Sequence, residues 1–321
     1  MRKYLFAIAI ATSFTCTSAS AQSDYPNKPI TMIVPFAAGS GTDSLARRLT
    51  VAMSEELPRA QFIVENRPGA NGIIGAGLVA KARGDGYTLL LTTNTTHSVD
   101  PYIYKNLPYD PIADFVPVGL AGETAPALMT ATSSKANSVK DVVNLAQKNP
   151  GALNFAATNT SSLAATQLFE QRANVKGQIV NYKISTQALV DTGAGAIDYI
   201  FGDLASGGAF VRNGKLKALA VLSERRLPGF PQVPTMAEAG YPGVEIQIWI
   251  GMFAPKGTPP AIVDRLNQTM VAALKRPEVV QALHLTAVEP RPTSPKDFAT
   301  YVGVQLQRWG KFAKDFDLQA E

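Results

Sequence analysis

Short apolar runs alternate with helical patterns from about residue 30 to residue 222, and Gly, Pro, Asn and Ser separate them. Near the start of this region the alternation predicts three strands, over Ile30–Pro35, Gln61–Glu65 and Tyr87–Thr92. Residues 44–57 and 73–82 lie between these strands and place apolar side chains at helical spacing. This βαβα order is typical of a parallel sheet that is covered by helices.

A second series of the same kind occupies the middle of the chain. Its predicted strands are Leu153–Ala157, Gln178–Asn181, Ile197–Phe201 and Leu216–Leu222. The helices of this series are predicted to begin near Ser138, Ser162, Ser185 and Asp203. Two such series in succession predict two α/β lobes, each a mostly parallel sheet flanked by helices.

The C-terminal stretch has a different pattern. Thr258-Pro259 and Ser294-Pro295 each place a cap residue before a first-turn proline, which predicts helices that end near Leu274 and Phe312. We expect this helical tail to pack on the N-terminal lobe, so that the chain crosses between lobes near residues 122–126 and 241–249. Two crossings make a hinge with a ligand cleft. The predicted domains are 22–124 plus 246–321 and 125–245.

The first residues have the pattern of a signal peptide. Met1-Arg2-Lys3 is positively charged, residues 4–14 are apolar, and Ala19-Ser20-Ala21 is a small-residue cleavage site. A membrane anchor needs about 20 apolar residues, and Thr, Ser and Cys interrupt this run too early. We therefore expect residues 1–21 to be removed on export to the periplasm. Cleavage takes away Cys16, which is the only cysteine of the chain.

Composition and charge argue against several classes of function. Loss of Arg2 and Lys3 lowers the formal net charge from +5 to +3, and the remaining Lys and Arg form no basic stripe that indicates nucleic acid. The two histidines, His97 and His284, are far apart in the chain, so metal-ligand spacing is missing and we expect no metal or cofactor. No G-x-S-x-G motif is present, which argues against a hydrolase.

The most informative segment joins the first predicted strand to the first helix and reads PFAAGSGTD, residues 35–43. Glycines let such a turn present backbone N–H groups, and the helix N-terminus adds partial positive charge. We therefore predict that the backbone of residues 39–42 binds an anion. A phosphate loop would also need a following Lys, which is missing here. The alternative is a tight turn in which Thr42 or Asp43 only caps the helix.

Two hydroxyl-rich loops follow other predicted strands at the same edge. They are residues 92–97 and 158–162, and ligands of open α/β sheets bind beyond these carboxyl ends. Ordinary loop polarity is the alternative for either one. The predicted ligand-binding residues are Phe36, Gly39, Ser40, Gly41, Thr42, Thr93, Thr95, His97, Thr158, Thr160, Ser161 and Asp203.

Ordered motifs along the whole mature chain resemble the Bug family, the solute receptors of tripartite tricarboxylate transporters. The motifs are YPNKPI (25–30), VPF (34–36), GSGTD (39–43), VENRPGA (64–70), DGYTLL (85–90), LPYDP (107–111), PTMAEAG (234–240) and FAPKGTP (253–259). The resemblance implies a two-lobed periplasmic binding protein fold that closes on a carboxylate. It implies that the first-strand turn holds that carboxylate through backbone N–H groups and ordered water. It also implies a membrane transporter as partner, and a monomer suits docking on such a partner.

The second lobe departs from the family pattern in two places. Leu163 stands where the family usually has a His, in a loop about two residues shorter, and Ile184 replaces the Gly that usually follows Tyr182-Lys183. Both changes favour a ligand with a more apolar body, and overall the chain is similar to the family's terephthalate receptors. Phe36 or Phe155 is a candidate to face an aromatic ring, and the alternative for either one is burial in the core.

Three functions stay open at this point. A transport receptor binds a small carboxylate without turnover and delivers it to a transporter. A sensor receptor binds in the same way but signals through a two-component kinase, and a periplasmic hydrolase turns its substrate over.

Overall fold

The computed structural model describes residues 25–316, which form two α/β lobes. The predicted signal peptide, residues 1–21, lies outside the described residues. Within residues 25–316, no helix combines the length and the apolar character that crossing a bilayer requires.

The first lobe is built on a six-stranded sheet with the order β2-β1-β3-β10-β4-β11. Its strands are β1 (Ile30–Val34), β2 (Phe62–Asn66), β3 (Thr88–Thr93), β4 (Phe115–Thr124), β10 (Ile248–Pro255) and β11 (Glu289–Pro290). The strands β1, β2 and β3 are parallel, and β10 runs antiparallel to both of its long neighbours, β3 and β4. The carboxyl ends of β1 to β4 therefore lie at one edge of the sheet, beside the amino end of β10.

The four helices that the sequence predicts around this sheet begin close to their predicted starts, and the structure adds a π-helical turn and two further helices. The helical segments of the described residues are α1 (Gly41–Glu56), α2 (Ile73–Ala80), a π-helical turn (Thr95–Val99), α3 (Asp100–Ile103), α8 (Pro260–Lys275), α9 (Pro277–Leu285) and α10 (Pro295–Asp315). Leu45, Leu49 and Ala52 of α1 are buried against the sheet, as their helical spacing predicts.

The second lobe is built on a five-stranded sheet with the order β7-β6-β8-β5-β9. Its strands and helices are β5 (Pro126–Ala131), α4 (Val139–Lys148), β6 (Asn154–Ala157), α5 (Thr160–Ala173), β7 (Gln178–Asn181), α6 (Ser185–Gly193), β8 (Tyr199–Asp203), α7 (Leu204–Arg212) and β9 (Leu216–Val221). β6, β7 and β8 are parallel, whereas β5 is antiparallel to its two neighbours. Phe155 lies in the core of this lobe, fully buried beside Phe169, Tyr199 and Phe201.

The chain leaves the first sheet at Thr124, enters the second at Pro126 and returns at Ile248. The tail helices pack on the first lobe, α8 against α1 and β4, and α10 against β4 and the 95–99 turn. The last turns of α10 reach further than the sequence predicts, because Trp309 belongs to the same buried cluster as Phe169 of the second lobe. The tail therefore braces both lobes.

Candidate ligand cleft

A cavity of about 800 Å³ lies between the two lobes. The segments that follow β1, β2, β3 and β4 and the start of β10 line it from the first lobe. The segments that follow β6, β7 and β8 line it from the second lobe. The cavity thus occupies the edge where ligands of open α/β sheets bind.

The turn between β1 and α1 presents two backbone donors to this cavity. The N–H of Gly39 donates to Asp43 Oδ2 at 2.9 Å, and the N–H of Ser40 donates to the carbonyl of Ala37 at 3.1 Å. The N–H groups of Gly41 and Thr42 have no acceptor among residues 25–316. They open a helix of 16 residues, whose N-terminus attracts anions.

Asp43 organises this turn from beneath and does not line the cavity. Besides the Gly39 N–H, its carboxylate accepts hydrogen bonds from the side chains of Arg47 at 3.2 Å and Asn66 at 3.0 Å. Burial alone would raise the pKa of Asp43, but these hydrogen bonds together lower it below its ordinary value. The carboxylate therefore stays ionised and fixes the loop, and it is held away from a bound anion.

At Gly41 the turn also lies against the second lobe. A Cβ atom on Gly41 would lie 2.5 Å from Ala205 Cβ and 3.1 Å from Asp203 Oδ1, both in the second lobe. The backbone of Gly41 has an ordinary helical conformation, so contact with the second lobe, and not a positive φ, requires glycine here.

A hydrogen-bonded chain of three side chains joins the lobes at a second point. Asn71 Nδ2 donates to Asp100 Oδ1 at 2.7 Å within the first lobe and to Thr160 Oγ1 at 2.9 Å in the second lobe. Asn71 has a left-handed backbone conformation, with φ of 56°, which Asn tolerates better than most residues. Burial raises the pKa of Asp100 to about 8, although the hydrogen bond from Asn71 lowers it somewhat.

Asp203 caps the second-lobe helix that faces Gly41. Its Oδ1 accepts the N–H of Ser206 at 2.8 Å, so the carboxylate is the N-cap of α7 as well as a lining group of the cavity. Burial raises the pKa of Asp203, and the hydrogen bonds from Ser206 only partly offset this.

His97 is the one predicted site residue that does not line the cavity. Its ring is fully buried and stacks on Phe253 with the ring centroids 4.0 Å apart, and Phe115 lies 4.6 Å away. Burial lowers the pKa of His97 to about 3, so the imidazole is neutral at ordinary pH. The π-helical turn rotates His97 into the aromatic core, and a loop reading of residues 92–97 does not anticipate this rotation.

The other predicted site residues come together around the cavity: Phe36, Gly39, Ser40, Gly41, Thr42, Thr93, Thr95, Thr158, Thr160, Ser161 and Asp203. Lining residues outside the predicted set include Asn71, Asn94, Tyr104, Thr124, Lys183, Ile184, Ile248 and Ile250. Lys183 and Ile184 are visible in the sequence as the segment that departs from the family pattern. Thr124 and Ile248 line the cavity only because the two crossings meet there, which no local pattern shows.

Apolar and charged groups are unevenly distributed over this lining. Leu163, Ile184, Ile248 and Ile250 give it an apolar component from both lobes. Among the lining residues that the structure describes, Lys183 is the single cation and Asp203 the single carboxylate. Binding of an anion therefore depends mainly on uncharged donors.

Comparison with known proteins agrees with this geometry. Residues 45–318 match the model of the tripartite tricarboxylate transporter family receptor. The chain belongs to this family. The relatives include a protein from the tcbD-tcbE intergenic region of Pseudomonas sp. strain P51, which is 38% identical over 99% of this chain and 95% of its own. Protein BugT of Bordetella pertussis is 35% identical over 96% of this chain and 95% of its own.

Solved structures of receptors have the same fold. The periplasmic binding protein BugD matches with a TM-score of 0.85 and 32% identity, over 92% of this chain and 100% of its own. An R. palustris protein solved with adipate matches with a TM-score of 0.87 and 33% identity, over 92% of this chain and 99% of its own. MatC from Rhodopseudomonas palustris, solved with malate, matches with a TM-score of 0.81 and 31% identity, over 90% of this chain and 99% of its own.

This family member is therefore a solute-binding receptor with a periplasmic binding protein fold, and it is not an enzyme. The predictions of fold class, of receptor function and of the Bug-type family are confirmed.

Proposed function

We propose that this receptor captures a small dicarboxylate with an apolar body, an aromatic one such as terephthalate, in the periplasm. It then delivers the ligand, as a monomer, to the membrane subunits of a tripartite tricarboxylate transporter. The observation that carries the proposal is the pair of N–H groups on Gly41 and Thr42, which have no acceptor among residues 25–316 and lie at the wall of the interlobe cavity. They receive the first carboxylate with the dipole of α1 behind them.

The apolar lining supports a hydrocarbon body for the ligand. Ile184 is 59% exposed at the start of α6 and lines the cavity, where a bound ligand would cover it. Leu163 and Phe36 add apolar surface from the second and the first lobe. Covering such surface favours binding by about 25 cal/mol for each Å² removed from water.

Two relatives support the dicarboxylate class. The R. palustris protein solved with adipate and MatC solved with malate both bind a molecule with two carboxylates. Both share about a third of their residues with this chain and match nearly all of their own length.

A ligand panel tests the proposal by thermal unfolding and titration calorimetry. Terephthalate, adipate, malate, citrate and the monocarboxylate benzoate are each added to the mature protein. A ligand at 100 times its dissociation constant is expected to stabilise the folded state by about 2.7 kcal/mol, and terephthalate to bind most tightly. The proposal fails if no carboxylate shifts the unfolding temperature.

An Ile184→Ala variant tests the apolar body. It removes three carbons from the cavity wall, so the affinity for terephthalate is expected to fall about fivefold, or about 1 kcal/mol, with little change for malate. Ile112→Ala is the matched control, since Ile112 is also half-exposed and lies outside the cavity. Equal losses for terephthalate and malate would contradict the apolar body.

A further inference from the structure

Three cavity-lining side chains are buried and have unpaired polar atoms. Asn94 is 0% exposed, and neither its Oδ1 nor its Nδ2 has a hydrogen-bond partner among residues 25–316. Thr124 and Ser161 are each 3% exposed, and their hydroxyl oxygens are unpaired in the same way. All three residues line the interlobe cavity.

Such groups need an explanation, because buried polar side chains in folded proteins almost always have a partner. Other unpaired buried atoms of the described chain, such as His97 Nε2 and Trp249 Nε1, belong to the aromatic core of the first lobe and do not line the cavity. Asn94, Thr124 and Ser161 differ from these, since all three residues belong to the wall of the cavity.

The strand order places Asn94 and Thr124 on the two sides of β10. Asn94 directly follows Thr93, which pairs with Ile250 of β10, and Thr124 pairs with Ile248 of the same strand. Ser161 is in the first turn of α5, and α5 contacts the 95–99 turn that follows Asn94. The three side chains thus come from the first lobe, from the crossing segment and from the second lobe.

Their chemistry suits a hydrogen-bond acceptor. The amide of Asn94 offers two N–H donors, and each hydroxyl offers one O–H donor. A carboxylate accepts several such bonds, and hydrogen bonds to its charged form stabilise the charge without a cation. Asn94 Oδ1 remains as an acceptor for a bridging water or for the proton of a carboxylic acid.

The distance from the α1 turn matches a second group on the same ligand. Neighbouring strands are about 4.8 Å apart, so β3 lies one spacing and β4 three spacings from β1. A site between Asn94 and Thr124 is therefore on the order of 10 Å from the Gly41 and Thr42 N–H groups. Ile248 and Ile250 lie between Asn94 and Thr124 and add apolar surface there.

We propose that Asn94, Thr124 and Ser161 form a second subsite, which holds the distal carboxylate of the ligand while the α1 turn holds the first. This subsite rests on the proposed dicarboxylate function. Uncharged donors at the crossing between the lobes then make the receptor prefer dicarboxylates to monocarboxylates.

Isosteric variants test the subsite: Thr124→Val, Ser161→Ala and Asn94→Leu. Calorimetry measures the affinities for two matched pairs, terephthalate with benzoate and adipate with hexanoate. Each variant is expected to lose at least fivefold in affinity for the dicarboxylate that binds the wild type, with the monocarboxylate changed less than twofold. The ligand-free variants are expected to unfold at the wild-type temperature or above, because an unpaired buried group is removed.

Thr130→Val is the matched control. Thr130 is equally buried in the second lobe, but its hydroxyl donates to the carbonyl of Asp198 at 2.8 Å and it does not line the cavity. This control is expected to lower the unfolding temperature and to leave all affinities unchanged.

Two results overturn the subsite in distinguishable ways. If the wild type binds a dicarboxylate and the three variants keep its dicarboxylate-to-monocarboxylate ratio, the subsite is wrong and the proposed function stands. If the wild type binds none of the four acids, the proposed function fails and the subsite fails with it.

Discussion

The two faces of the cleft present different kinds of group to a ligand. The first lobe presents backbone N–H groups at Gly41 and Thr42, in a turn that Asp43 fixes from beneath. The second lobe presents side chains, among them Thr160, Leu163 and Ile184. Backbone donors are the same in every sequence that folds this way, whereas side chains change with each substitution. The α1 turn of the first lobe is thus suited to a feature that all ligands share, and the lining side chains to features that distinguish them.

The largest expected effect on affinity comes from the contact of the two faces at Gly41. Gly41→Ala keeps the N–H donor but places a Cβ atom 2.5 Å from Ala205 Cβ. Overpacking of this kind costs about 1–3 kcal/mol. Affinity for the ligand is therefore expected to fall roughly tenfold to a hundredfold by calorimetry, since closure is opposed.

A second substitution separates this clash from a loss of folding. Ala205→Gly removes the opposing Cβ, so Gly41→Ala in that background is expected to bind within about threefold of Ala205→Gly alone. Gly303→Ala, with no atom within 4 Å of the added Cβ, controls for the change of residue type. Wild-type affinity in the Gly41→Ala single variant would show that the lobes do not close at this point.

The next effect is a pH dependence of folding stability, and it arises from Asp100, a buried residue of the first lobe. The folded-state pKa of Asp100 is raised to about 8, so folded protein holds a proton between pH 4 and 8 that unfolded protein releases. The stability that Asp100 contributes is therefore full below its unfolded pKa and is lost as pH rises toward 8.

Asp100→Asn keeps the acceptor for Asn71 and removes this titration. The stability of the variant relative to wild type is expected to increase between pH 5 and pH 8, by about 1.4 kcal/mol for each pH unit over which only the folded state of the wild type holds the proton. Thermal unfolding at several pH values measures it, with the exposed Asp264→Asn as control. A constant difference across this range would contradict a raised pKa.

The smallest effect tests the hydrogen bond that joins the faces at Asn71. Asn71→Gly fits the left-handed backbone and removes the bond to Thr160, so affinity is expected to fall by about 0.5–1.5 kcal/mol. Thr160→Val removes the same bond from the other side. A double-mutant cycle measures the coupling, and strictly additive losses would show that the bond does not contribute to closure.

Much of the fold is visible in the sequence because its strands and helices are amphipathic or have clear caps. Ser138 and Ser294 cap α4 and α10 as predicted. β4, β5 and β10 escape prediction because Pro and Gly residues interrupt or bound their apolar runs, which favours an interpretation as connecting segments. In the region that contains β10, the sequence pattern predicts a crossing followed by a helical tail and no strand.

The candidate site is likewise predicted in part from the sequence. Ligands of open α/β sheets bind beyond the carboxyl ends of the strands. This rule needs only the strand order, and it correctly predicts that Gly41, Thr93 and Thr160 lie at the cavity. It fails for His97, because the π-helical turn changes which side chains of one short segment face the cavity. The rule does not predict Thr124, because Thr124 lines the cavity at a crossing between the lobes. Whether each lining residue contacts the ligand stays a prediction.

The position of β10 also decides the order in which the molecule can fold. All strands of the second sheet, β5 to β9, follow one another in the chain, so this sheet is complete once Val221 is available. The first sheet has β10 between β3 and β4, and this strand begins only at Ile248. Contacts between residues that are far apart in the sequence form slowly. The second lobe is therefore expected to become structured first, and the first lobe to be completed last.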